Sequence, residues 1–277
     1  MSFYAKVIAD SINSAGSRLT TLEVKFARII LSEMNTHRKF SRNAASSRAI
    51  PVWKLIQAVR DDPFIPIDWG KNKPGMQAGE QLESRQQQAA KAVWLEAIDN
   101  AIATAIELNS LELHKEKANR VLEPYSYTTQ IISSTSWGNF FYQRISCHAQ
   151  PEMRHIAELM KAARDASTPT KLSLGGVHLP YITADDSSLY DDLDLVKLSV
   201  ARCARVSYLT HDGVRDVKKD IELHDRLIED KHWSPFEHVA TATPFPGYGG
   251  NFGDGWFQYR KTFEEEYIKD TETQGAY

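Results

Sequence analysis

The stretch from Gln81 to Leu111 is the longest helical pattern in the chain, and it sets the first constraint on the fold. Trp94, Ile98, Ile102 and Ile106 recur every four residues, with Leu95 and Ala105 beside them, so one side of a long helix must be buried. Trp94 reads as part of that core, with a cofactor contact as the less favoured alternative. Lys91, Glu96, Asp99 and Glu107 interrupt the stretch from Ala89 to Leu108 and exclude a membrane span.

Strand patterns flank this helix in the sequence. Residues 4–12 read as a first strand, and Asn13 to Gly16 as a turn. Leu22, Val24 and Phe26 fall two apart, with Thr20 extending their face, and predict a second strand within Arg18 to Phe26. Tyr125 to Ser134 is rich in Tyr, Thr and Ile and reads as another. Helical segments are expected at Ala27–Asn35, from Pro51 through Val59, at Trp137–Ile145 and at Pro151–Arg164. In the last, Met153, Ile156, Met160 and Ala163 make an apolar stripe after a first-turn proline. Asp61 to Met76 is a Pro- and Gly-rich loop, and Lys117 to Pro124 is short and polar. Residues 166–190 read as an irregular connection that divides the chain. Beyond it come helices at Leu193–Tyr208 and Asp216–Asp230, then a strand at Val239–Thr243. The Gly- and aromatic-rich tail from Pro244 shows no pattern that requires regular structure.

At 277 residues the chain is long enough for a proper core in roughly one to two domains. Its net charge of −3 disfavours a broad nucleic-acid-binding face, though not a local basic pocket. Cys147 and Cys203 have no metal-type spacing and read as small buried residues in a reducing compartment. Asp10 and Asn13 interrupt any apolar core a signal peptide would need. A soluble, cytoplasmic protein is expected.

The chemistry concentrates between Thr36 and Arg48. His37, Arg38, Lys39, Arg42 and Arg48 are interleaved with Ser41, Asn43, Ser46 and Ser47, and Phe40 is the only large apolar side chain among them. Forked cations among hydroxyl and amide groups suit an anionic, hydrogen-bond-rich ligand. A solvated basic loop has the same composition.

This segment resembles the signature of the flavin-dependent thymidylate synthases. That signature reads Arg-His-Arg, seven residues and Ser, with an Asn inside and an Arg two places after the Ser. His37, Arg38, Asn43, Ser46 and Arg48 are in register, whereas Thr36 replaces the first Arg and Ala44 a usual Glu. Asn139-Phe140 through Arg144, then His148-Ala149-Gln150-Pro151-Glu152-Met153-Arg154, is similar to a second family segment. Arg120 resembles the Arg of an Ala-Arg-x-x-Leu-Pro element, with Asn119 and Glu123 in place of Ala and Leu. Ala204 to Ser207 and His232 to His238 resemble a further pair. In the family that pair precedes the signature; here it follows, so the chain resembles a circular permutant. Chain order is free to change where termini lie close together at the surface.

The resemblance implies an α/β (α+β) fold, a twisted sheet flanked by helices. It implies one domain built from 1–165 and 191–245, with 166–190 as linker. By resemblance Arg144 is the catalytic residue, touching the uracil ring and favouring its electron-rich form; a permanent cation beside developing negative charge suits that role. Ser46, Ser47, Arg48 and Arg120 would hold the nucleotide with Arg144. Glu33 stands where the family often has Gln, so either it meets the sugar hydroxyl or the nucleotide differs. Arg42 is a candidate to replace the cation lost at Thr36. His37, Arg38, Lys39, Asn139 and His148 would meet flavin, joined by Ser207, His232, Ser234 and Glu237. Each His also fits a structural role, and Glu237 could instead hold His232 or His238. No metal is expected. FAD is the implied cofactor, with methylenetetrahydrofolate as carbon donor, NADPH as reductant and dUMP as substrate, in a homotetramer with sites at subunit interfaces. Thr36, Glu33 and Ala44 keep open a related reaction such as C5 hydroxymethylation. A non-catalytic nucleotide binder is the other alternative.

Overall fold

The N-terminal strand patterns pair into a hairpin. β1 (Tyr4–Ile12) and β2 (Arg18–Ala27) run antiparallel. Their turn is closed by Asn13, whose Oδ1 accepts the N–H groups of Ala15 (3.1 Å) and Ser17 (2.9 Å), and by Gly16 at φ +80°. The computed structural model describes residues 3–208, 216–244, 251–253 and 255–263. A 3-10 turn at Arg28–Ile30 and α1 (Leu31–Met34) lead into the signature, part of which is itself a strand, β3 (Ser41–Ala44). Next come α2 (Val52–Asp61), α3 (Ser84–Ser110), α4 (Lys115–Ala118) with a 3-10 helix at Asn119–Tyr125, and β4 (Tyr127–Ser134). α5 (Gly138–Arg144) and α6 (Pro151–Ala166) follow.

The region expected to be an irregular connection is structured. β5 (Thr170–Lys171) pairs parallel with β1, β6 (Val177–His178) joins a second sheet, and α7 (Ala184–Leu189) follows. α7 begins at a reciprocal cap between Thr183 and Asp186, the device that starts a helix even in a polar sequence. α8 (Asp192–Tyr208), α9 (Val217–Glu229) and β7 (Ala240–Ala242) match the expected elements, and a 3-10 helix at Ser234–His238, not expected from the sequence, lies between the last two. The tail adds β8 (Trp256–Gln258), paired with β7, where no regular structure was expected.

The main sheet has the order β3-β4-β2-β1-β5, and the smaller one β6-β7-β8. The result is the mixed α/β fold expected, a sheet flanked by helices. On one face of the main sheet Leu22, Val24, Phe26 and Ile132 pack on Met153, Ile156, Ala157 and Met160 of α6. Both apolar stripes read from the sequence meet here. α3 buries Ile98, Ile102 and Ala105 against α2 and the 119–125 helix, while Leu95 and Ile106, expected inside, are exposed. Trp94 is half-buried; its indole N–H donates to the Phe64 carbonyl (2.9 Å).

The opposite face carries the C-terminal layer on a buried polar seam. Ser11 Oγ meets His178 Nδ1 (2.8 Å), His178 Nε2 meets Thr21 Oγ1 (2.8 Å), Thr21 meets Ser133 Oγ (2.6 Å), and Ser133 meets His238 Nδ1 (2.8 Å). His238 Nε2 is buried without a hydrogen-bond partner among the described residues. A bare acceptor there is less costly than an orphaned N–H, so Nδ1 carries the proton and donates to Ser133. The direction then runs Ser133 to Thr21 to His178 Nε2, leaving His178 Nδ1–H to donate to Ser11. Burial pushes both imidazoles down to about 3, so both are neutral at physiological pH.

Candidate active site

The signature turns back on itself before entering β3. Arg42 fixes this turn, its Nη1 donating to the backbone carbonyls of Asn35 and His37. Phe40 beneath it is buried among Trp137 and Phe140, which brings the turn against α5. Between them lies a cavity of about 630 Å³ lined by residues 36–40, Ser136, Gly138, Asn139, Phe140, Gln143 and Arg144.

Arg144 stands at the centre of the polar contacts here. It forms an ion pair with Glu33 through Nη1, donates from Nε to His37 Nε2 (2.9 Å), and reaches Thr36 Oγ1 at 3.5 Å. Because His37 Nε2 accepts, its proton is on Nδ1. Burial, then the charges of Arg144 and Arg42, lower the His37 pKa to about 4 and keep the ring neutral. Arg38 and Lys39 are exposed and have no ion-pair partner among the described residues. Two cations without an ion-pair partner among the described residues, a neutral imidazole packed on Phe40 and Phe140, and the amide of Asn139 fit a planar group bearing phosphates. FAD is such a group; His37, Arg38, Lys39 and Asn139 all line this cavity and are the side chains that could hold it.

The remaining site residues from the sequence fall elsewhere. Ser47 and Arg120 converge on Glu123, together with Arg28, whose Nε lies 3.0 Å from the carboxylate. Ser46 is half-buried and Arg48 exposed beside them. Ser47 and Arg28 also line a separate cavity of about 720 Å³, floored by Lys25, Tyr127 and Thr129 of the sheet and walled by α2. It shares no residue with the first. His148 is exposed and its Nδ1 lies 2.9 Å from Gln77 Nε2 in the loop before α3, not in the Arg144 cavity.

The C-terminal segment packs directly on the signature strand. Asn43 Nδ2 donates to the Cys203 carbonyl of α8 (2.8 Å), and Gln258 Nε2 donates to Ser41 Oγ (2.9 Å) and to the Glu237 carbonyl (2.8 Å). Glu237 pairs with Arg260 of the tail rather than with His232 or His238; burial lowers the Arg42 pKa, and the Glu237 charge opposes that lowering only in part. His232 and Ser234 are exposed. The Ser207 side chain lies outside the described residues. Cys203 is buried as expected, and burial pushes its thiol pKa up, whereas Cys147 is exposed because it sits in the turn after α5.

Asn119, Glu123 and Arg28 were not among the residues singled out for the site. Asn119 Nδ2 bridges the carbonyls of Ser47 (2.7 Å) and Ile50 (2.8 Å), so it shapes the end of the signature. The departures from the family pattern at 119 and 123 were the available signal. Among the described residues no cluster of side chains could hold a metal ion, and no helix is long and apolar enough to cross a membrane.

The architecture and the cationic cavity define an α/β protein with the signature built into a sheet edge and a facing helix. The chain belongs to the thymidylate synthase complementing protein family, whose model matches residues 18–170. This is the family recognised in the signature. No curated protein matches the chain in sequence. Among solved structures it is similar to the UMP/dUMP methylase PolB from Streptomyces cacaoi bound with 5-Br UMP. That pair is 14% identical over 58% of this chain and 88% of the other, with a TM-score of 0.47. It is also similar to Thymidylate Synthase X from Helicobacter pylori with FAD and dUMP, at 19% identity over 53% and 67%, with a TM-score of 0.39. The family assignment rests on the sequence match.

Proposed function

We propose that this protein is a flavin-dependent enzyme that methylates C5 of a pyrimidine nucleotide, converting dUMP to dTMP. The observation that carries the reading is Arg144, held by Glu33 and His37 at the wall of a cavity whose other cations, Arg38 and Lys39, have no ion-pair partner among the described residues. Methylenetetrahydrofolate is the carbon donor in this reading. FAD, when bound, supplies the electrons, and NADPH restores them. The chain's own work is binding and charge placement: Arg144 stabilises negative charge on the pyrimidine, and His37, which accepts from Arg144, holds that guanidinium in the cavity wall. Arg48 and Ser46 meet the nucleotide from the other cluster.

A homotetramer with sites at subunit interfaces belongs to this reading, and two cavities that share no residue within one chain accord with sites completed between subunits. Packing of the Ser234–His238 helix and α8 against β3 supports the permuted order, with 1–165 and 191–245 forming one domain. An exposed Cys147 thiol accords with the reducing cytoplasm.

Incubating the purified yellow protein with dUMP, methylenetetrahydrofolate and NADPH tests the reading, with dTMP expected. A 5-hydroxymethyl product would shift the assignment to hydroxymethylation, for which the Thr36 and Glu33 contacts with Arg144 speak. A colourless protein that takes up no FAD and yields no product would leave a nucleotide binder.

A further inference from the structure

Three donors meet at one point beside the larger cavity. Arg28 Nε (3.0 Å), Arg120 Nη1 (2.9 Å) and the Ser47 hydroxyl all converge on the Glu123 carboxylate. Two guanidinium groups and a hydroxyl make a cradle for an oxyanion, and a carboxylate satisfies them much as a phosphate does. Here the protein supplies that anion itself.

We propose that Glu123 is an internal competitor for the anionic end of the ligand: a phosphate gains Arg28 and Arg120 only by displacing it. The inference rests on the pyrimidine-nucleotide reading above. The geometry favours it in three ways. Arg28 and Ser47 line the 720 Å³ cavity, so the cradle opens onto space large enough for a nucleoside. Arg120 is half-exposed and Glu123 partly so, which leaves the cradle reachable from solvent. Burial alone would raise the Glu123 pKa, yet the Ser47 hydrogen bond and the two arginines hold it below its usual value, so the competing charge is present at neutral pH. Arg48, exposed next to Ser47 and without an ion-pair partner among the described residues, remains for a phosphate to meet first. The ligand's phosphate therefore contributes little net affinity, and recognition falls on the nucleoside.

Titration calorimetry of the flavin-loaded full chain with dUMP and with 2′-deoxyuridine tests this. The wild-type protein is expected to prefer dUMP by less than about tenfold. Glu123→Gln keeps an acceptor oxygen for Arg28 and Ser47 but removes the charge. It should raise the dUMP preference by about tenfold while leaving deoxyuridine binding unchanged. A wild-type preference of about tenfold or more, or a variant with an unchanged ratio, overturns the proposal. Should the variant fail to fold, the wild-type ratio alone decides. Binding of neither probe would instead defeat the pyrimidine reading, and this proposal with it.

Discussion

The two faces of the main sheet are held by different physics. Against α6 the contact is dry and apolar, with Leu22, Val24, Phe26 and Ile132 on one side and Met153, Ile156 and Met160 on the other. Against the C-terminal layer it is a line of hydroxyls and imidazoles from Ser11 to His238, flanked by Leu19, Ile131, Cys203 and Val206. Apolar packing tolerates any side chain of suitable size and shape, whereas each member of the polar line needs its particular partner. The first face therefore supplies bulk stability. The second fixes the register of the layer that carries Glu237 against the signature strand.

The contrast can be broken most strongly from the dry side. Phe26→Ala, at a fully buried position, should cost about 3–5 kcal/mol in urea unfolding; a loss under about 1 kcal/mol would mean that this face is not the main core. Ser133→Ala should cost less, about 1–3 kcal/mol, because it strands Thr21 and His238 without removing much volume. Measured stability equal to wild type would show that the seam is not a connected network. Acid sharpens the difference. His178 and His238 have folded pKa values near 3 against 6.5 when free, so the unfolded chain binds more protons between those values. Their contribution is full above pH 6.5 and is lost as pH falls toward 3. Denaturation midpoints at pH 7 and pH 4 should differ accordingly, and a flat profile would contradict the assignment of neutral rings. Arg38→Ala belongs to neither face. It should leave stability within about 0.5 kcal/mol and weaken flavin binding about tenfold, read by fluorescence quenching.

The same contrast decides what could be read from the sequence. The dry face was legible because its period-two strand and four-residue helix stripes are dictated by burial. Much of the Arg144 cavity was legible too: His37, Arg38, Lys39, Asn139 and Arg144 sit on two contiguous motifs, and the fold brings those together. Short polar pairings were not. β5, β6 and β8 are two or three residues each, too brief to carry a period, and β3 hides in a stretch whose charges suggest a loop. Nor does a sequence show that Glu123 points back at Ser47 and Arg120, or that Glu33 pairs with Arg144, since those partners are 76 and 111 residues away in the longer cases. The outward face of α3 was misread because its apolar positions outnumber those its neighbours cover.

The central claim is that Arg144 stabilises charge on a pyrimidine during C5 methylation. Its most direct test is the rate of dTMP formation from dUMP by flavin-loaded Arg144→Ala beside wild type, both checked for the same melting temperature. The account predicts a wild-type enzyme that makes dTMP and a folded, flavin-binding variant slower by about 10²–10³-fold. Equal rates in the two proteins, or no dTMP from either, would contradict it.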